Sequence, residues 1–383
     1  MSAFPVWSHS GARLIDLTGL PIGLIDLELS MPPTELVDDT AAFLMRSQQG
    51  LPAAVLKVAR GMLGAADLRT QRRVLAELTI HPGLDDEWRA LLPRILAFDE
   101  RTDETVSVES YRPEMDLAEL LGRRPNRVEE LTAAALRAIA PLHRQTATFV
   151  VIDDVCLLRR WVVEPLARLT DICRRLDPRL VPEVDRLGTI LREALVGFRV
   201  PVSWTHGDYR PGNVRVAGVR GPVTGIVDWG GARPGQPALI DEYLMILTVS
   251  CQMERADLGT VVAERLRVGG LLDRERIALR AAGDRADADT GNRGRVDECI
   301  DERVAILLTW LHHTADLWRK RATHPNHHIW WATNVAPVLD AVSAWRGFDV
   351  KRPRVRATRG TGSGSMSAPV EDAAAALGHQ ADG

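Results

Sequence analysis

The stretch from residue 206 to residue 230 constrains this 383-residue chain more than any other part of it. It opens His206-Gly207-Asp208-Tyr209-Arg210-Pro211-Gly212-Asn213 and, after a turn-rich interval, continues Ile226-Val227-Asp228-Trp229-Gly230. Four residues separate Asp208 from Asn213, and Asp228 ends a brief apolar run. Asp and Asn are ordinary turn residues, but turn chemistry does not explain a lone Asp that closes an apolar strand and precedes Trp-Gly. Val214-Arg215-Val216 and Gly225-Ile226-Val227 read as two short hairpin strands. Such a hairpin brings Asn213 and Asp228 together, so the fold must gather three oxygen-bearing side chains at one place.

Bulk properties narrow the class. A chain of 383 residues exceeds a typical single core, so two lobes are expected. A hydrophobic content of 45% with 26% charged residues is ordinary for a soluble globular protein. The net charge of −3 favours neither nucleic acid nor an anionic membrane as a partner. No apolar run reaches the ~18 residues of a membrane span, and Met1–Ser10 lacks the pattern of a secretory signal. Cys156, Cys173, Cys251 and Cys299 form no C-x-x-C and read as reduced core thiols of a cytoplasmic protein.

Organisation follows from pattern. Leu24–Leu29 alternates like a strand, Met31-Pro32-Pro33 breaks it, and Ala41–Met45 suggests the next strand. Ala53–Ala59 is a clear apolar strand carrying one Lys, residues 66–80 look helical, and Pro93–Phe98 and Val106–Tyr111 read as two further strands. Asp116, with Glu119 three positions on, starts a helix after a break at 112–116. Beyond it the pattern is mostly helical: Arg127–His143, 155–196, 238–280 and 297–345. The segment 300–318 is apolar on several faces and is expected to be buried, with most tryptophans beyond residue 300 in the core. Residues 281–296 read as a surface loop, and the Gly/Ser/Ala-rich end as a disordered tail.

Phosphoryl transfer from a nucleotide needs a carboxylate near the attacking hydroxyl and oxygen ligands for Mg²⁺. Protein kinases supply these as H-R-D-x-x-x-x-N and D-F-G. The same order and spacing stand here as H-G-D-x-x-x-x-N and D-W-G. Over residues 50–345 the chain resembles the aminoglycoside phosphotransferase family, small-molecule kinases of the protein-kinase-like fold. The resemblance implies an α+β, two-lobe fold. A small β-rich nucleotide-binding lobe would span 1–112, a larger helical catalytic and substrate lobe 113–350, and the tail 351–383. It implies a phosphotransferase that uses Mg²⁺ and ATP, with GTP an open alternative, to phosphorylate a hydroxyl of a small molecule such as an aminoglycoside.

The expected roles follow residue by residue. Asp208 orients and deprotonates the acceptor hydroxyl, while Asn213 and Asp228 hold Mg²⁺, a hard cation that prefers such oxygens. His206 braces the loop, and Asp241 either anchors that loop or caps its own helix. Lys57 binds phosphates, or is an edge-strand Lys that snorkels to water. Glu77 is its candidate partner, facing either the cleft or solvent beside Arg73. The backbone at Glu109, Ser110 and Tyr111 corresponds to the adenine-contacting hinge.

No G-x-G-x-x-G occurs in residues 1–50, and the phosphate-covering loop falls at Met31–Glu35. That gap motivates one rival reading, a catalytically silent kinase-like binding module. A metal-dependent phosphohydrolase using the same Asp and Asn ligands is the other. The histidines at 312, 313, 324, 327 and 328 read as structural or surface residues. Asp297, Glu298, Asp301 and Glu302 either line a pocket for a cationic substrate or complement a helix dipole.

Overall fold

A computed structural model describes residues 40–345, except 48–51, 60, 103, 154, 219–221, 291–299 and 323–325, and before residue 40 only three strands. The loop at Met31–Glu35, the tail 351–383, Cys299, His324, Asp297 and Glu298 lie outside the described residues. The chain divides into two compact units, Met1–Gly347 and Phe348–Gly383, and all that follows concerns the first.

An antiparallel pair comes first, β1 (Ala3–Ser8) against β2 (Gly11–Asp16). Five strands then form one antiparallel sheet: β3 (Leu24–Leu29), β4 (Thr40–Ser47), β5 (Pro52–Ala59), β6 (Ile95–Glu100) and β7 (Thr105–Ser110). Their spatial order is β3-β4-β5-β7-β6, so β5 is the central strand. Period-2 alternation sorts its side chains. Leu56 and Val58 join Met45, Val106 and Val108 in a buried apolar cluster. Lys57, opposite Ser107 in the ladder, belongs to the other face. Helix α1 (Met62–Ile80) covers that face, with Leu68, Gln71, Leu75 and Leu78 buried at a helical period. A short α2 (Asp86–Arg89) precedes β6.

Past residue 112 the chain is mostly helical. The pair β8 (Met115–Asp116) leads into α3 (Leu117–Arg123), whose first turn is capped by Asp116 accepting from the Glu119 amide at 2.7 Å. Helix α4 (Val128–Gln145), strand β9 (Thr148–Val151), and helices α5 (Glu164–Leu176) and α6 (Val181–Leu195) follow. Two small antiparallel sheets carry the chemistry-bearing segment. One orders β13 (Arg233–Pro237), β10 (Arg199–Thr205) and β9; the other orders β12 (Val223–Ile226), β11 (Val214–Val216) and β8.

Four helices and two short ones complete the unit: α7 (Leu239–Glu254), α8 (Leu258–Val268), α9 (Asp273–Thr290), α10 (Glu302–Arg321), α11 (His327–Asn334) and α12 (Ala336–Ser343). The central helix is α10: Val304, Ile306, Leu307, Leu308, Trp310 and Leu311 are all fully buried against α5, α7 and α8. The expected burial of this segment is thus observed, and Trp310 also donates its indole N–H to the Asn334 carbonyl at 2.9 Å.

Three expectations need correction. Residues 281–290 continue α9 rather than forming a loop, because four alanines outweigh Gly283 and the aspartates in local propensity. Cys156 is exposed rather than in the core. Of the five tryptophans beyond residue 300, Trp310 and Trp331 are buried while Trp318, Trp330 and Trp345 are only partly so, where most were expected in the core. Of the acids near the start of α10, the two described have structural partners. Asp301 accepts from the Arg303 amide at 2.9 Å, and Glu302 is held by Arg276 at 2.9 Å and by the Leu271 amide at 3.1 Å.

Candidate active site

The loop after β10 is held from beneath by one carboxylate. Asp241 sits in the first turn of α7 and is fully buried. Its two oxygens accept the backbone N–H of His206 at 2.7 Å and of Gly207 at 2.9 Å, and His143 of α4 lies 3.0 Å away. These are charge-assisted bonds, shorter and stronger than neutral ones. His206 in turn places Nε2 2.9 Å from the Val227 carbonyl, tying this loop to the segment that ends in Asp228. Tyr209 donates its buried hydroxyl to the Ala135 carbonyl at 2.7 Å. Gly207 is required: its φ is +79°, and an added Cβ would overlap the Gly231 carbonyl.

This scaffold gathers the three oxygen-bearing side chains. Asn213 donates Nδ2 to the Asp208 carbonyl at 2.9 Å and to the Asp208 carboxylate at 3.2 Å. Its carbonyl accepts the Val227 amide at 2.9 Å, and the ladder pairs Val214 with Ile226. The hairpin therefore sets Asn213 beside the residue before Asp228. Asp228 adopts left-handed backbone, φ 71° and ψ 58°, one of two described non-glycine residues with positive φ. Such a conformation costs on the order of 1–3 kcal/mol and persists where surroundings enforce it, characteristically at functional sites. The Asp228 side chain keeps 50% of its surface open, in contrast to buried Asp241.

Lys57 completes the cluster from the five-stranded sheet. Its Nζ lies 3.2 Å from Glu109 and 3.5 Å from Asp228, and donates to Gln71 at 3.2 Å. Gln71 also donates to Glu109. Burial alone would lower the Lys57 pKa, but Glu109 and then Asp228 outweigh it, and the ammonium sits above its usual value. The Lys57 ammonium holds the Asp228 carboxyl down to about 2, against a desolvation effect that works the other way. Because β5 is central, an edge-strand explanation for Lys57 does not apply.

The structure does not bring every expected residue here. Glu77 does not reach Lys57: it is exposed and lies 3.9 Å from Arg73. The reason is helical phase, since two residues from buried Leu75 is a rotation of about 200°. Glu109 takes that place, from diagonally across the β5–β7 ladder. Its own backbone is inside the sheet, opposite Val55 and Ile95. The amides of Ser110 and Tyr111 already donate to the carbonyls of Arg94 and Ala53.

Several residues at the site carried no clear signal in the sequence. Arg210 pairs with Asp208 at 3.0 Å. His313 places Nδ1 3.7 Å from Asp208. Burial, only partly opposed by Asp208, holds its pKa below the usual value, so it is neutral near pH 7. His313, Asp316 and Lys320 recur at i, i+3 and i+7 and share one face of α10. They lie against Asp208, Arg233 and Asp67 in turn. That periodicity was the available signal.

The donor set fits a magnesium–nucleotide. Asp228 is charged and open, and Asn213, by donating through Nδ2, keeps Oδ1 as an oxygen donor. Among the described residues no three His, Cys, Asp or Glu side chains cluster to hold a metal by themselves. Mg²⁺ in nucleotide sites needs only one or two protein oxygens, the rest coming from phosphate and water.

The fold and this constellation define a kinase-like phosphotransferase. The family model of the phosphotransferase enzyme family matches residues 34–279, and the chain belongs to that family. It is a phosphotransferase acting on hydroxyl groups of small molecules. Solved structures agree on the fold. A thermostable mutant of aminoglycoside phosphotransferase APH(4)-Ia, apo form, is 15% identical with a TM-score of 0.50, covering 85% of this chain and 96% of its own. A ternary complex of that enzyme with AMP-PNP and hygromycin B is 14% identical with a TM-score of 0.51, covering 85% and 95%. No curated protein matches the sequence. No described helix is long and apolar enough to cross a membrane.

Proposed function

We propose that this enzyme transfers the γ-phosphoryl group of ATP to a hydroxyl of a small molecule. The observation that carries the reading is a chain of contacts between the central sheet strand and the loop held by Asp241: Asp208 accepts from Asn213 at 3.2 Å, the Asn213 backbone carbonyl accepts from Val227 beside Asp228 at 2.9 Å, and Asp228 lies 3.5 Å from Lys57. Asp208 accepts the proton of the acceptor hydroxyl and aims its oxygen, a contribution of about 10²–10⁴ in rate. Asn213 and Asp228 are the Mg²⁺ ligands, and Lys57, oriented by Glu109 and Gln71, holds phosphate oxygens. When bound, Mg²⁺ neutralises charge on the polyphosphate. His206 and Asp241 position this loop and take no part in proton transfer. The nucleotide-binding lobe then comprises residues 1–112 and the catalytic lobe 113–350, with the base-binding segment at their junction.

ATP rests on the fold likeness to an enzyme crystallised with AMP-PNP; GTP is the alternative nucleotide. An acceptor screen with labelled ATP, read as a mass gain of one phosphate, tests the reading. Asp208→Ala and Asp228→Ala variants that turn over as fast as the parent would defeat it.

A further inference from the structure

A cavity of about 420 Å³ opens between α1 and residues 230–234, bounded at one end by Arg319 of α10. Its floor adjoins the catalytic loop, because Gly231 packs directly on Gly207. Asp316 lies one turn beyond His313 on the inner face of α10. Arg233, 3.1 Å from Asp316, is therefore about 5 Å along the helix axis from the His313–Asp208 contact.

Cations outnumber carboxylates around this cavity. The single carboxylate of Asp316 serves both Arg233 and Arg168, each at 3.1 Å. Asp67 likewise serves both Arg319 at 2.8 Å and Lys320 at 3.1 Å. Arg160 gives Nη2 to the Pro234 carbonyl and has no carboxylate at ion-pair distance among the described residues. Burial first, and then the neighbouring Arg233 charge, lower its pKa from the ordinary value. The other carboxylate lining the cavity, Glu77, lies 3.9 Å from Arg73, which also lines it, so the lining holds Arg73, Arg160, Arg233 and Arg319 against Asp67 and Glu77. A polycation at this face meets like charge, which costs affinity, whereas paired guanidiniums match an oxyanion.

We propose that the cavity holds an anionic group of the acceptor: the substrate is a hydroxylated small molecule bearing a carboxylate or phosphate, anchored by Arg160 and Arg233 while its hydroxyl reaches Asp208. This deepens the phosphotransferase reading and rests on it.

The test is calorimetric titration of the full chain with inorganic phosphate, acetate and spermidine, after saturation with AMP-PNP and Mg²⁺. Phosphate binds the parent protein, and Arg160→Gln and Arg233→Gln each weaken it five-fold or more. Asp316→Asn moves the other way, tightening phosphate by releasing Arg233 and Arg168. Phosphate tighter than acetate points to a phosphorylated acceptor, and the reverse to a carboxylate. Melting temperature and circular dichroism identify any variant that fails to fold. If Arg160→Gln does, the opposite shifts of Arg233→Gln and Asp316→Asn still decide. Binding of neither phosphate nor acetate to the parent, equal anion binding in the folded variants, or spermidine binding tighter than both anions overturns the proposal. Nucleotide binding is read separately: a chain that takes phosphate at the arginines but no AMP-PNP sinks the kinase reading and leaves the anion site standing.

Discussion

Two aspartates define two regions of this molecule, and they differ in everything but side chain. Asp241 is sealed in the core with its oxygens fully used by His206, Gly207 and His143. Asp228 stands half open on a left-handed backbone, with one charged partner at 3.5 Å. A carboxylate whose bonds are all satisfied holds structure. One that is charged, reachable and incompletely partnered has capacity left for a ligand. The comparison teaches that exposure and unspent bonding capacity, not residue type, separate an acid free to take a ligand from an architectural one.

The largest effect that would break this comparison concerns rate. Asp208→Asn and Asp228→Asn are expected to lower kcat by about 10²–10⁴, Asp208→Asn with the melting temperature near that of the parent. Asp241→Ala should do the reverse in kind. Removing a buried charge that satisfies two backbone donors costs about 3–5 kcal/mol of stability, measured by urea unfolding. An Asp241→Ala protein as stable as the parent would erase the distinction.

A smaller test separates the two candidate partners of Lys57. Glu109→Gln is expected to raise the KM for nucleotide about ten-fold, the equivalent of 1.4 kcal/mol. Glu77→Gln, on an exposed face, should shift stability by less than about 0.5 kcal/mol and leave KM unchanged. The smallest effect is in acid. Asp228 has a depressed pKa, so the stability it contributes is complete above its ordinary value of 3.8 and is lost as pH falls through about 2. Acid unfolding followed over that window should be shallower in Asp228→Asn; identical curves would show that the Lys57 pairing adds nothing.

The loop and hairpin were legible because their logic is local. Asp208 and Asn213 are joined within one turn, and Asp228 follows at the end of a short paired strand. The sheet and most helices were legible for the same reason, as periodicity within single segments. What stayed hidden depends on how distant segments meet. Glu109 is a partner of Lys57 only through the β5–β7 register, and Gln71 only through the phase at which α1 lies on the sheet. Strand order, which places β5 in the middle and removes the edge-strand explanation for Lys57, is not written in any window. The charges on α10 are visible as a helix face, but nothing local says that the face meets Asp208.

The meeting of Gly207 with Gly231 carries a consequence for anyone editing this enzyme. Two backbones touch where Gly207 has no room for a methyl group. The letter between His206 and Asp208 is thus dictated by clearance rather than by reactivity. Spelling it as arginine, in the manner of protein kinases, would wedge the two loops apart and displace the very wall from which Arg233 projects.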